Sequence, residues 1–273
     1  MKKYSKLKIG IIGCGTIGNA IAKACEDRLK GKALLVAICD TDKDKAIALN
    51  NGLKKKAAVL TSSDLIKKVD LVIESASAKI SGLILEKAIR SKKDILVMSV
   101  GGLIGKVDLL RLAEDRKVRV YIPSGALSGI DGLKSASVGR IDSVTLTTRK
   151  PPRGLEGAPY LKEKGIDLTN IKEETIIFEG TAEDAIKGFP QNVNVSAVLS
   201  LAGIGPKRTR VRLVTAPGYT KNIHEVEIVG SSGTIKTKTE NVPSETNPKT
   251  SALAIFSAIA TLEGIAKSVK IGT

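Results

Sequence analysis

The sequence contains few aromatic residues, no tryptophan, one histidine and three cysteines among 273 residues. The single histidine, His224, excludes sites that need two histidine ligands, such as zincin metalloproteases and irons held by two histidines and a carboxylate. The spacing of Cys14, Cys25 and Cys39 matches no zinc or iron–sulfur pattern, and a sparse, odd count is typical of a reducing cytoplasm. We therefore expect a cytoplasmic protein without a metal site.

Long hydrophobic runs are also absent. The longest candidate, Ser251 to Leu262, is shorter than the ~20 residues that a membrane-spanning helix requires. The N-terminus has only a short apolar run, which passes directly into a glycine-rich turn, so we expect no signal peptide. With 42% hydrophobic and 26% charged residues, the composition is that of a globular protein with no membrane partner.

Acidic residues are too few to balance the basic ones, and the formal net charge is +16. A positive field favours anionic partners such as nucleic acids, phosphates or carboxylate metabolites. Nucleic-acid binders usually add aromatic stacking platforms or a recognised motif, whereas aromatics here are 3% and the basic residues are spread along the chain. We therefore expect small anionic ligands and no nucleic acid. The lysine-rich solvated surface of a thermophile is the alternative explanation of the charge.

The first half of the chain alternates apolar segments with helical periodicity. Lys6–Gly13, Ala33–Asp40 and Asp70–Ser75 are apolar like buried strands, whereas Thr16–Leu29 has apolar residues at helical spacing. Strands that are apolar throughout and alternate with helices indicate a parallel sheet covered on both faces. The sequence therefore predicts an α/β protein with a Rossmann-type doubly wound parallel sheet in residues 1–123.

The pattern changes after the first 123 residues. Ser137–Lys150 and His224–Gly230 alternate like strands with one exposed face, and Pro151–Thr169 is predicted as a long loop. Residues 124–247 are therefore predicted to form a second, α+β domain with a mainly antiparallel sheet.

The end of the chain returns to a helical pattern. Asn247 precedes Pro248, a typical pairing of a cap with a proline in the first turn. We predict a C-terminal helix, residues 248–273, that joins the first domain.

A glycine-rich motif, GCGTIG, connects the first predicted strand to the first predicted helix. Gly13 permits the tight turn, Gly15 lets the backbone approach a pyrophosphate, and Gly18 lets the helix pack close to the strand. Thr16 and Ile17 begin the helix whose N-terminus faces the anion. Together these five residues are the predicted dinucleotide-binding loop.

Asp40 ends the next predicted strand at the distance that the dinucleotide pattern requires. A carboxylate there accepts hydrogen bonds from the ribose hydroxyls and repels a 2′-phosphate, which favours NAD over NADP. Lys43 and Lys45 lie close by and leave NADP use open. The alternative interpretation is a structural glycine turn beside a solvated aspartate.

Three polar residues in the second half are candidates for chemistry. His224 alternates in phase with Val226 and Ile228, so it is either a core histidine or the acid/base that a dehydrogenase needs. Asn192 and Asn194, at the start of a predicted helix, are either helix caps or amide donors to nicotinamide or substrate.

Several motifs, taken in order, cover nearly the whole chain. They are GIIGCGTIG (Gly10–Gly18), IESAS (Ile73–Ser77), VGGLIG (Val100–Gly105), PSGALSGID (Pro123–Asp131), TTRKPP (Thr147–Pro152), FPQNVNVSA (Phe189–Ala197), NIHEVEIVGSSG from Asn222, and NPKTS (Asn247–Ser251). In this order they resemble the archaeal and bacterial NAD(P)-dependent L-aspartate dehydrogenase family.

The resemblance implies oxidative deamination of L-aspartate to oxaloacetate through iminosuccinate, with release of ammonia. It implies that His224 is the acid/base, that Ala126 and Asn192 contact the cofactor, and that the protein is a homodimer. A contribution of the iminosuccinate product to NAD biosynthesis is a further hypothesis.

A dicarboxylate substrate needs cationic or amide groups to hold it. Arg149, Lys150 and Lys207 are candidates, and each is alternatively a solvated surface charge. Other functions remain open. A homoserine dehydrogenase-like enzyme and a non-catalytic NAD-sensing protein are both compatible with the glycine loop. Dihydrodipicolinate reductases typically carry a paired histidine motif, which a chain with one histidine lacks.

Overall fold

The computed structural model describes residues 6–190, 194–244 and 247–272. The chain forms two compact units, of which the first ends at Pro123 and also contains Ile255–Lys270, while the second runs from Ser124 to Ala254. Each unit has its own sheet and its own hydrophobic core. No helix within the described ranges is long and apolar enough to cross a membrane.

The first unit is built on a six-stranded sheet. Its elements are β1 (Leu7–Ile12), α1 (Thr16–Glu26), β2 (Ala33–Cys39), α2 (Lys43–Asn51), β3 (Ala58–Val59), α3 (Ser62–Lys68), β4 (Leu71–Glu74), α4 (Ala78–Arg90), β5 (Asp94–Val97), α5 (Val107–Asp115) and β6 (Val120–Tyr121). The order is β3-β2-β1-β4-β5-β6, and every neighbouring pair is parallel. The predicted doubly wound sheet is confirmed, with its switch point between β1 and β4, where such folds bind ligands.

Burial explains why these strands are apolar at every position. Ile11 and Ile12 point to opposite faces of the sheet, yet they are only 0% and 4% exposed. Val72 and Ile73 in β4 are both fully buried. Both faces of the sheet are therefore covered. A polar side chain on either face would lose its hydration, which costs free energy.

The second unit is built on a five-stranded sheet. Its elements are α6 (Ile130–Ala136), β7 (Ile141–Lys150), α7 (Pro159–Lys164), β8 (Thr175–Thr181), α8 (Ala182–Gly188), α9 (Asn194–Ala202), β9 (Arg210–Thr215), β10 (Asn222–Gly230), β11 (Gly233–Asn241), β12 (Pro243–Ser244) and β13 (Asn247–Ser251). The sheet order is β11-β10-β7-β9-β8. Its pairs are antiparallel except for β7 with β9, so the predicted mainly antiparallel sheet is confirmed.

One face of this second sheet is buried. On β10, His224, Val226 and Ile228 are each less than 5% exposed. Their partners across the β7 ladder include Thr148, opposite His224, and Leu146, opposite Val226. The side chains between these positions are partly exposed. The alternation seen in the sequence therefore reflects a sheet with one core face and one open face.

Part of the predicted loop Pro151–Thr169 is helical, which corrects that prediction. Helix α7 begins at Pro159, a residue well suited to a first helical turn. Its Leu161 belongs to the hydrophobic core, and Gly165 ends it at a φ of +61°. The segment as a whole contributes several buried residues to this core, among them Leu155 and Ala158.

The start of the C-terminal helix also differs from the prediction. Asn247–Ser251 forms strand β13 paired with β12, and helix α10 (Ala252–Ala266) begins after it, so the helix does not span 248–273. The cap is Ser251, whose Oγ accepts a hydrogen bond from the Leu253 amide. From Ile255 onward the helix belongs to the first unit, where Ala258 and Leu262 lie in the core.

Candidate active site

The glycine loop connects β1 to α1, and two of its glycines are required by the packing of the protein itself. Gly13 has a φ of +103°, and a Cβ there would lie 2.5 Å from the carbonyl group of Ser75. A Cβ on Gly18 would lie 2.0 Å from the carbonyl oxygen of Gly13. Larger residues would therefore displace the loop or the helix.

Gly15 is different, because it is exposed and a Cβ there would meet no atom of the described part of the chain within 4 Å. The space in front of it lies at the N-terminus of α1, where Thr16 and Ile17 begin the first helical turn. Backbone amides and the positive end of the helix dipole favour an anion at such a position. The loop therefore fits the pyrophosphate of a dinucleotide, and Gly15 keeps the approach open.

Asp40 follows β2 and reaches the glycine loop. Its Oδ2 accepts a hydrogen bond of 2.7 Å from the Cys14 amide, and its Oδ1 accepts one of 2.9 Å from the Asp42 amide. Each carboxylate oxygen retains acceptor capacity beyond one hydrogen bond. The structure thus brings Asp40 to the loop as predicted, and its role toward a ribose stays a prediction.

In the second unit, His224 lies on the buried face of the sheet and is 4% exposed. Its Nδ1 lies 2.9 Å from Thr148 Oγ1 on the neighbouring strand. When Nδ1 is protonated and donates a hydrogen bond to Thr148 Oγ1, Nε2 holds the lone pair that a general base needs. Burial, followed by the positive charge of Lys150, lowers the pKa of the imidazole to about 3. The ring is therefore neutral at physiological pH.

Hydrogen bonds hold the turn that contains Ala126 next to the strand position of His224. The Ala126 carbonyl accepts hydrogen bonds from Thr239 Oγ1 at 3.0 Å and from Asn241 Nδ2 at 3.2 Å. Thr239 is the cross-strand partner of His224 on β11. Asn241 Oδ1 in turn accepts a hydrogen bond of 2.8 Å from Ser251 Oγ. The structure therefore brings Ala126 and His224 together, whereas Asn192 lies outside the described residues.

The structure separates two of the three cations proposed for the substrate. The Arg149 side chain lies on the open face of the sheet, where it forms ion pairs with Glu225 and, at 3.5 Å, with Glu174. Lys207 is exposed in the segment before β9. Lys150 alone of the three shares the face of His224, since side chains alternate along β7.

Thr148 and Asn241 were not singled out by the sequence interpretation. Thr148 could have been noticed, because it is a polar residue in phase with the apolar Val144 and Leu146. Asn241 carried no such signal, since its position follows an exposed strand. The side chain of Asn241 is oriented by a hydrogen bond from Ser251, which lies ten residues later in the chain.

The chain is similar to known proteins over nearly its whole length. Residues 131–265 match the family model described as "Aspartate dehydrogenase, C-terminal", and residues 13–123 match "Homoserine dehydrogenase, NAD binding domain". The chain is 49% identical to the L-aspartate dehydrogenase of Methanosarcina barkeri, over 98% of this chain and 100% of that one. It is 44% identical to that of Methanococcus maripaludis, with the same coverage.

The chain belongs to the L-aspartate dehydrogenase family. The predicted membership is therefore confirmed. Among solved structures, the aspartate dehydrogenase of Thermotoga maritima has a TM-score of 0.74 and 26% identity, and the match covers 98% of this chain and 100% of that one. A homoserine dehydrogenase from Thiobacillus denitrificans, at 12% identity and a TM-score of 0.64, shares the fold alone.

Two alanine substitutions in the glycine loop, at Gly15 and at Gly18, should have different effects. Gly15→Ala should change the stability of the cofactor-free protein by less than about 1 kcal/mol, the size of a cap effect. It should nevertheless weaken NAD binding at least tenfold, because the methyl group enters the space in front of α1. Gly18→Ala should lower the melting temperature of the cofactor-free protein itself. Titration calorimetry with NAD and thermal melting separate the two effects, and equal behaviour of both variants would contradict these assignments.

The lowered pKa of His224 predicts a pH-dependent contribution to stability. An unfolded histidine has a pKa of about 6.5, so the unfolded chain binds the proton more readily than the folded one. The stability associated with the neutral ring is fully present above pH 6.5 and is lost as the pH falls toward 3, by up to about 5 kcal/mol. His224→Asn can retain the bond to Thr148 without titrating, so its urea unfolding should depend less on pH across this range. Identical pH profiles would contradict the burial of a neutral ring.

Proposed function

We propose that the protein oxidises L-aspartate with NAD, giving oxaloacetate through iminosuccinate. Per turnover, L-aspartate, NAD⁺ and water give oxaloacetate, ammonium, NADH and a proton. The observation that carries the proposal is the buried His224–Thr148 pair, which lies in the part of the chain that matches the aspartate dehydrogenase C-terminal model. The names of the full-length relatives support the same substrate.

The residues divide the work between binding and proton transfer. The glycine loop and Asp40 would hold the dinucleotide, which supplies the acceptor for the hydride of the substrate Cα. His224 Nε2 would accept a proton from water as its oxygen adds to the imine carbon, and would return a proton to the departing amine. Thr148 would hold the imidazole in the tautomer and orientation that this requires.

A substrate panel with a matched variant tests the reaction. We expect NADH formation with L-aspartate well above that with glutamate, alanine, malate or homoserine. His224→Asn should lose at least about a hundredfold in turnover, the usual size of general acid–base catalysis, while the Kd for NAD stays unchanged. Near-normal activity of His224→Asn would remove it from the acid/base role. Turnover of homoserine without L-aspartate would contradict the proposed substrate.

We propose NAD rather than NADP as the preferred cofactor, because the Asp40 carboxylate at the glycine loop would repel a 2′-phosphate. The ratio of kcat/KM for NAD to that for NADP should exceed one. It should fall in Asp40→Asn, which keeps an oxygen for the Cys14 amide but removes the charge. An unchanged ratio would show that Asp40 does not contact the ribose.

The family resemblance also supports a homodimer, for which light scattering of the purified chain should give twice the mass of a single chain. A cytoplasmic location stays a prediction from the cysteine content, which cell fractionation checks. The supply of iminosuccinate to NAD biosynthesis likewise stays a hypothesis. It would be wrong if a quinolinate synthase could not use the product that the protein releases.

A further inference from the structure

A cationic side chain lies beside His224 on the buried face of the second sheet. Lys150 is the last residue of β7, two positions after Thr148, and strand alternation places both side chains on the same face. Thr148 is paired with His224 on one side and with Leu213 on the other. Lys150 therefore lies two positions along β7 from the strand partner of His224, and its positive charge adds to the larger effect of burial in lowering the pKa of the imidazole.

The backbone at Lys150 is held firmly. Lys150 pairs with Thr215 on β9, and Thr215 Oγ1 donates a hydrogen bond of 2.7 Å to the Lys150 carbonyl. Thr215 is fully buried, so this end of β7 is anchored in the core rather than frayed. A lysine on an anchored strand end presents its charge at a defined position, as a binding residue must.

The environment of Lys150 favours an anionic ligand. Burial lowers the pKa of its ammonium group to about 8, because the charged form loses hydration. A carboxylate placed against the group would replace part of that hydration with a charge-assisted hydrogen bond. L-aspartate carries two carboxylates, and the amine that must react is only one or two bonds from the carbon atoms that bear them.

We propose that Lys150 binds one carboxylate of the substrate and thereby places its Cα and amino group beside His224. This inference rests on the proposed function and assigns the site a residue for substrate recognition. Arg149, its neighbour in sequence, cannot take this part, since it lies on the open face with Glu225.

Three variants test the proposal. Lys150→Met removes the charge and keeps much of the length, Lys150→Arg keeps the charge, and Lys207→Met makes the same charge change at an exposed lysine of the same unit. Two quantities report on the site: the KM for L-aspartate, and the Kd for succinate by titration calorimetry. Succinate has both carboxylates and no amine, so its binding reports on recognition without turnover.

We expect Lys150→Met to raise both quantities between about tenfold and a hundredfold, the usual effect of losing one charged hydrogen bond. The KM for NAD should stay within about twofold of the wild type. Lys150→Arg should recover part of the affinity, and Lys207→Met should behave like the wild type. A merely structural lysine would instead change melting temperature and NAD affinity together.

The outcomes separate this inference from the proposed function. A wild-type protein that binds succinate through Lys150 but does not oxidise L-aspartate would contradict the proposed reaction only. Succinate affinity and aspartate KM that stay within about twofold in Lys150→Met would overturn the role of Lys150, whatever the activity. If Lys150→Met does not fold, Lys150→Gln provides the same comparison with a polar side chain.

Discussion

The candidate active site of the second unit depends on the register between β7 and β10. In this register His224 lies opposite Thr148, and both point into the buried face. Side chains alternate with a period of two, so a slip of one residue would move His224 to the open face and Glu225 into the core. Such a slip would also bury an unpaired carboxylate, which costs far more than any single hydrophobic contact returns. The same register therefore determines both the packing of this sheet and the position of His224.

The three glycines of the first unit's loop differ in what surrounds them. Gly13 and Gly18 are required because a Cβ on either would collide with backbone atoms. A Cβ on Gly15 would meet no atom within 4 Å among the residues that the structure describes. Packing therefore does not explain why this position lacks a side chain, whereas the proposed pyrophosphate site would. Asp40 is held at the same loop, since it accepts a hydrogen bond from the Cys14 amide.

Much of this could be predicted from the sequence, because periodicity and loop chemistry act locally. Two-sided burial makes β1 and β4 apolar throughout, and the glycine loop lies between a strand and a helix. What could not be predicted depends on contacts distant in sequence. Whether Arg149 or Lys150 faces His224 is decided by strand pairing, and the strand at Asn247–Ser251 by its partner β12. A proline after an asparagine is equally compatible with a helix start and with a short edge strand.

A buried histidine beside a lysine is a weaker base than an exposed one, because burial and, to a smaller extent, the ammonium charge disfavour its protonated form. His224 and Lys150 can both become cationic on the same face of the sheet. The imidazole is the group that stays neutral, because its pKa is lowered to about 3 and that of the lysine only to about 8. An anion bound at Lys150 would offset the ammonium charge and raise the proton affinity of His224 again. Only the smaller cause of the low pKa would be removed in this way, because desolvation by burial is the larger one and acts on the imidazole itself.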